Sequence, residues 1–126
     1  MLRFSANLGF LWTDLALTDA IKVAASSGFD AIECHWPFDV PSKSVDSTLK
    51  DFGLPMVSLN TRPGNLKTGD FGMAAVPGRE AQARSYIKEA IIYAEAVDAH
   101  AVHVMAGRTD HGEAAEDCFR DNLIYA

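Results

Sequence analysis

Four short stretches of alternating apolar and polar residues, each separated from the next by a helical pattern, constrain this chain more than any other feature. Leu2-Arg3-Phe4-Ser5-Ala6-Asn7 is the first and Ala31-Ile32-Glu33-Cys34-His35, between Gly28 and Pro37, the second. Pro55 to Asn60 and Ala101 to Ala106 are the third and fourth. Helical spacing fills the intervals. Thr18 reads as an N-cap for Asp19 to Ser27, with Ile21, Ala24 and Ala25 on one face and Gly28 as the stop. A second helix runs from Pro41-Ser42 to about Phe52, on a stripe of Val45, Leu49 and Phe52. Arg79 to Val97 is the strongest, with Ala83, Ile87, Ala90, Ile91 and Ala94 facing inward, and Glu113 opens a fourth. Strands alternating with helices over short connections predict parallel strands joined by right-handed crossovers.

Strand parity sharpens the prediction. Phe4, Ala6, Ile32, Cys34, Val57, Leu59, Val102 and Val104 share an apolar parity suited to packing under helices. Ser5, Asn7, Glu33, His35, Ser58, Asn60 and His103 share the other, which is polar towards each strand's C-terminal end. A doubly wound sheet buries both faces and is written in near-continuous apolar runs. One polar face suits instead the lumen and upper rim of a (β/α)8 TIM barrel, where active sites sit. Such a barrel takes eight units and about 250 residues, whereas this chain has four units in 126 residues. The expected fold class is therefore α/β: the first four βα units of a TIM barrel, one domain over residues 1–126. Asn122 to Ala126 stays on the helical pattern with no glycine, proline or polar tail, so the barrel reads as incomplete and ending within the fourth helix.

The polar rim holds the candidate chemistry. Glu33 is a carboxylate in a strand interior, costly to bury unless it is paired or serves a site. A functional pocket and an ion pair with Arg3 or another lumen group both explain it. His35, His103, Asn7 and Asn60 are either site residues or satisfied polar groups at strand ends, and Ser5 and Ser58 read as small packing residues. Trp12 is placed to cap a substrate, Trp36 and Phe38 to wall a small pocket, and His100 and His111 to face solvent. The long stretch from Thr61 to Gly78, rich in glycine and proline, reads as a lid.

Charge and cysteine content exclude several classes. Eleven basic and seventeen acidic residues give a net charge of −6, with no Lys/Arg stripe, which disfavours nucleic acid. No apolar run nears the roughly 20 residues of a membrane span and no signal-peptide pattern opens the chain, so no membrane partner and a cytoplasmic location are expected. Cys34 and Cys118 match no metal or redox spacing and read as free thiols.

Phe4-Ser5-Ala6-Asn7-Leu8, Gly28-Phe29 with Ile32-Glu33 and Pro37-Phe38-Asp39, Val76-Pro77-Gly78-Arg79-Glu80 and Val104-Met105-Ala106-Gly107-Arg108 together resemble the hydroxypyruvate isomerase family. These are xylose-isomerase-like barrels, a superfamily that also includes endonuclease IV, and Asp121-Asn122-Leu123 with Tyr125-Ala126 is similar to the family's fourth helix. The resemblance implies isomerisation of a small hydroxy-carbonyl compound, hydroxypyruvate to tartronate semialdehyde, through an enediolate. It implies a pair of catalytic glutamates and a divalent metal ion of the Mg or Mn class, all on the later strands of the full-length barrel. No catalytic or metal-binding residue is expected in these 126, and no metal bound by them alone. What this half supplies is substrate surroundings: Asn7, Glu33, His35, Asn60 and His103 from the rim, Arg108 as a carboxylate partner, and the Thr61 to Gly78 loop. Ser58-Leu59-Asn60-Thr61 departs from relatives with a histidine beside the asparagine, which leaves the substrate open. Two other readings compete: a non-catalytic half-barrel that self-associates through exposed strand edges, and a DNA-repair nuclease, which the charge disfavours.

Overall fold

In the computed structural model, which describes residues 1–110 and 112–126, four parallel strands hydrogen-bond in the order β1-β2-β3-β4. They are β1 (Ser5–Asn7), β2 (Ala31–Cys34), β3 (Met56–Asn60) and β4 (Ala101–His103). Helices α1 (Leu17–Ser26), α2 (Ser42–Phe52) and α3 (Glu80–Ala96) connect them, and α4 (Glu113–Tyr125) follows β4. This is the open, four-unit TIM-barrel-like sheet that the strand parity predicts.

The core lies between sheet and helices. Ala6, Ile32, Cys34, Met56 and Leu59 from the strands meet Ile21 and Ala24 of α1, Val45 and Leu49 of α2, and Ala90 and Ala94 of α3. Each fully buried Ile, Leu or Met here contributes about 1.5–3 kcal/mol by leaving water. Of the residues expected inward on α3, Ile91 is only half-buried, and Tyr93 is buried, donating its hydroxyl to the Val40 carbonyl at 2.8 Å.

Three local departures have physical causes. Helix α1 starts at Leu17, one residue before Thr18, because the Ala16 carbonyl accepts from Asp19 and Ala20. Thr18 thus lies in the first turn and caps nothing. In β3 the register slips: Ile32 opposes Met56 but Glu33 opposes Ser58, so two residues of β3 face one of β2. Met56 takes the core position that strict alternation assigns to Val57, which is half-buried. Phe4, expected under the helices, is 63% exposed, because β1 is an edge strand and no described element packs over its start.

The fourth strand is shorter than the alternation suggests. Beyond His103 the chain pairs with the long loop instead: Met105 O accepts from Met73 N and Ala74 N, and Ala106 O from Ala75 N. Gly72 and Gly107 cross there with φ of 94° at both, and a side-chain carbon on either would overlap the other strand. Met73, Ala74 and Ala83 form a second small core with Val104, Tyr86 and Phe119. The loop's far half is therefore packed structure, while its near half carries an exposed 3-10 turn at Leu66–Thr68.

Candidate functional site

The sheet register lines up the polar rim. Asn7 is paired with Glu33 and Glu33 with Ser58, and one step further Asn60 is paired with His103. His35 follows the end of β2, where its carbonyl accepts from Asn60 N at 2.6 Å. Five of the six predicted site residues thus come from the C-terminal ends of neighbouring strands. Asn7, Glu33, His35 and Asn60 are half-buried and His103 is exposed.

Glu33 is satisfied by a neighbour on its own face: Ser5 Oγ donates to Oε1. Ser5 is therefore a partner in the rim as well as a small packing residue. Arg3, one expected partner of Glu33, pairs with Asp30 at 3.7 Å. His103 Nδ1 lies 3.2 Å from Asn60 Oδ1. His35 is held below its usual titration range by burial, partly opposed by the Glu33 carboxylate, so its ring is neutral at pH 7. A neutral imidazole carries one N–H donor and one acceptor nitrogen.

The sixth residue, Arg108, is exposed on the segment after β4, and no ion pair joins it to any described residue. His100 is solvent-facing as expected. The same expectation for His111 lies outside the described residues. Beside the rim, the loops after β1 and β2 enclose an open cleft of about 260 Å³ walled by Gly9, Trp12, His35, Trp36, Pro37 and Asp39. Trp12 reaches it from a left-handed backbone conformation, φ 53°, and sets its ring edge-on to Phe29. Phe38 is engaged elsewhere, between Tyr93 at 5.5 Å and the Arg62 guanidinium at 5.0 Å. Arg62 in turn holds Glu89 through Nε at 2.8 Å and Nη2 at 3.0 Å.

Gly9 and Phe10 escape any reading of the sequence alone. Gly9 lies so close to His35 that a side-chain carbon would overlap the imidazole, and Phe10 sets its edge on the same ring at 4.7 Å. Neither has a periodic or motif signal, since their importance depends on a contact across 26 residues. Among the described residues no three or more of His, Cys, Asp and Glu gather to hold a metal.

A four-unit parallel sheet with a polar rim at the strand C-termini defines part of a β/α-barrel. The sequence pattern of the xylose isomerase-like TIM barrel family matches residues 21–126, and the chain belongs to that family. A putative hydroxypyruvate isomerase from Homo sapiens is 40% identical over 99% of this chain and 48% of its own length. A 2-oxo-tetronate isomerase from Pectobacterium atrosepticum is 40% identical over 100% of this chain and 49% of its own length. The chain spans about half the length of the curated relatives it matches. Among solved structures, AP endonuclease, family 2, from Brucella melitensis superposes with a TM-score of 0.91 at 34% identity, covering 99% of this chain and 49% of that one. A D-allulose 3-epimerase from Methylomonas sp., at 15% identity and a TM-score of 0.72, shares the fold.

Proposed function

We propose that these four units form the substrate-surrounding half of an isomerase acting on a small hydroxy-carbonyl acid, of the hydroxypyruvate or 2-oxo-tetronate class. The observation that carries the reading is the alignment, over the whole chain, with relatives named for those two isomerisations. The convergence of Asn7, Glu33, His35, Asn60 and His103 on one rim supports it. Such a reaction removes a proton beside a carbonyl and returns it one carbon away, so it needs an acid/base pair and stabilisation of an enediolate oxygen. In this proposal the residues here bind and orient hydroxyl and carbonyl oxygens. The proton-transferring glutamates and a Mg- or Mn-class cation belong to the complementary half of the barrel.

The test is made on a complete barrel carrying these 126 residues. Hydroxypyruvate and a 2-oxo-tetronate are supplied separately and the carbon skeleton followed by NMR, with and without chelator. Turnover of either supports the reading; turnover of neither, with a well-folded barrel, overturns it. A nuclease reading draws on the printed name of the Brucella structure. Against it stand the net charge of −6 and the absence of a basic stripe.

A further inference from the structure

We propose that Asn7 and Gly9 are positioning residues whose task is to seat the His35 imidazole, and that His35, so fixed, is the rim group that contacts a substrate oxygen. The proposal rests on the isomerase reading for its substrate and on geometry for its positioning. Asn7 does not offer its side-chain oxygen to the lumen: Oδ1 accepts from Gly9 N at 2.9 Å. Its backbone carbonyl accepts from Phe10 N at 3.1 Å and Leu11 N at 3.0 Å. One residue thus closes the whole turn after β1, through the side-chain bond to the amide two positions on that asparagine makes readily.

That turn delivers Gly9 directly against His35. A side-chain carbon at position 9 would overlap the ring atoms Cγ, Cδ2 and Cε1 together, so the ring lies flat across the glycine backbone. Phe10 closes a second side edge-on, with ring centroids 4.7 Å apart, and Trp36 a third, tilted by 39° at 5.0 Å. An imidazole contacted on three sides by a backbone and two aromatic rings has little rotamer freedom, which is the preorganisation a binding group needs. The acting charge on it is Glu33, two residues before it on the same strand, while the Gly9, Phe10 and Trp36 surroundings are uncharged. Its displaced titration agrees with an enclosed ring and is a readout for the seat.

Histidine ring NMR on the 126-residue chain tests the seat without any assay of activity. The wild type is expected to show contacts from Gly9 Hα and Phe10 to the His35 ring, and a titration midpoint below 6.5. Gly9→Ala and Asn7→Leu should abolish those contacts and move the midpoint towards 6.5, whereas Asn7→Ser, which keeps an oxygen for the turn, should retain them. If Gly9→Ala fails to fold, the two Asn7 variants decide. Absence of the contacts in the wild type, or their persistence in Asn7→Leu, overturns the seat. In a complete active barrel, Gly9→Ala and His35→Phe should raise KM by about tenfold to a hundredfold with a smaller change in kcat. Unchanged KM overturns the substrate contact. A barrel inactive on both compounds, with the ring contacts intact, overturns the isomerase reading and leaves the seat standing.

Discussion

At the scale of the single residue, this chain is held by polar groups that sit deeper than their chemistry suggests. Asn122 is fully buried on α4, donating from Nδ2 to the Ala74 carbonyl at 2.8 Å and accepting from Arg84 Nε at 3.0 Å. Asn122→Leu removes the amide and strands a buried carbonyl and a guanidinium N–H. We expect a loss of about 2–3 kcal/mol, seen as a lower urea midpoint with an unchanged slope. The two cysteines make a complementary case. Burial, then the Glu33 charge, pushes the Cys34 thiol up to about 12, and burial followed by Glu80 raises Cys118. Thiolate is the reactive form, so a disulfide reagent at pH 8 should label neither in the native protein and both after denaturation. Labelling of the native chain at the rate of a free thiol would contradict the packing of both.

At the scale of the element, what the sequence discloses is what periodicity can carry. Existence, order and direction of all four strands and helices follow from alternation, and so does the polar rim, because side-chain parity is a local property. Non-local choices stay hidden. Nothing at Met56 or Val57 announces the slip that exchanges their faces, and nothing before Met105 announces that its carbonyl serves the loop and not a longer β4. Gly9 looks like any loop glycine until His35 is placed against it. The lid read from the Thr61 to Gly78 composition is likewise a fastened element: Arg79 grips Asp70 through two bonds of 2.6 and 2.9 Å, and Thr61 Oγ1 accepts from Met105 N. This fastening is pH-dependent. The Arg79 hydrogen bonds, then the Asn65 amide, hold the Asp70 carboxyl below its usual value of 3.8. A depressed folded value means that the contribution is complete above the unfolded value and is lost as pH falls through the folded one. Below pH 3.8 the loop should therefore loosen first, and pepsin should cut near Leu66 and Phe71 before the helices. Asp70→Asn should bring the same cuts on with thermolysin at neutral pH; equal resistance in both proteins would show that the packed Met73 and Ala74 suffice alone.

At the scale of the whole molecule, the open sheet sets the strongest constraint on behaviour. Strands β1 and β4 each have one neighbour, so each presents a row of backbone groups with no strand partner among the described residues. Apolar surface is exposed at the start of β1 and at the end of α4. Leu2 is 81% exposed and Phe4 63% at the start of β1, and Ile124 is 77% exposed on α4, with Leu123 and Tyr125 exposed beside it. In a closed barrel the strand that follows α4 lies next to β4 and under that helix. A second copy offers a strand with the right features, its own β1, which carries Leu2 and Phe4 on the side that helices cover. Two copies related by a twofold axis can satisfy both edges at once, β4 of each against β1 of the other, and a closed ring then leaves no edge for further growth. The 126-residue chain is therefore expected to sediment as a dimer at micromolar concentration and to dissociate on dilution. Phe4→Lys, which charges the shared seam without touching the buried core, should shift that equilibrium towards monomer by at least about tenfold. Joining the chain to a complementary half-barrel should abolish self-association, because the same edges are then filled within one molecule. A chain that stays monomeric and folded at high concentration would show that the edges are protected by their shortness alone. Concentration-dependent growth beyond the dimer would show instead that the twofold closure fails and the edges pair head to tail.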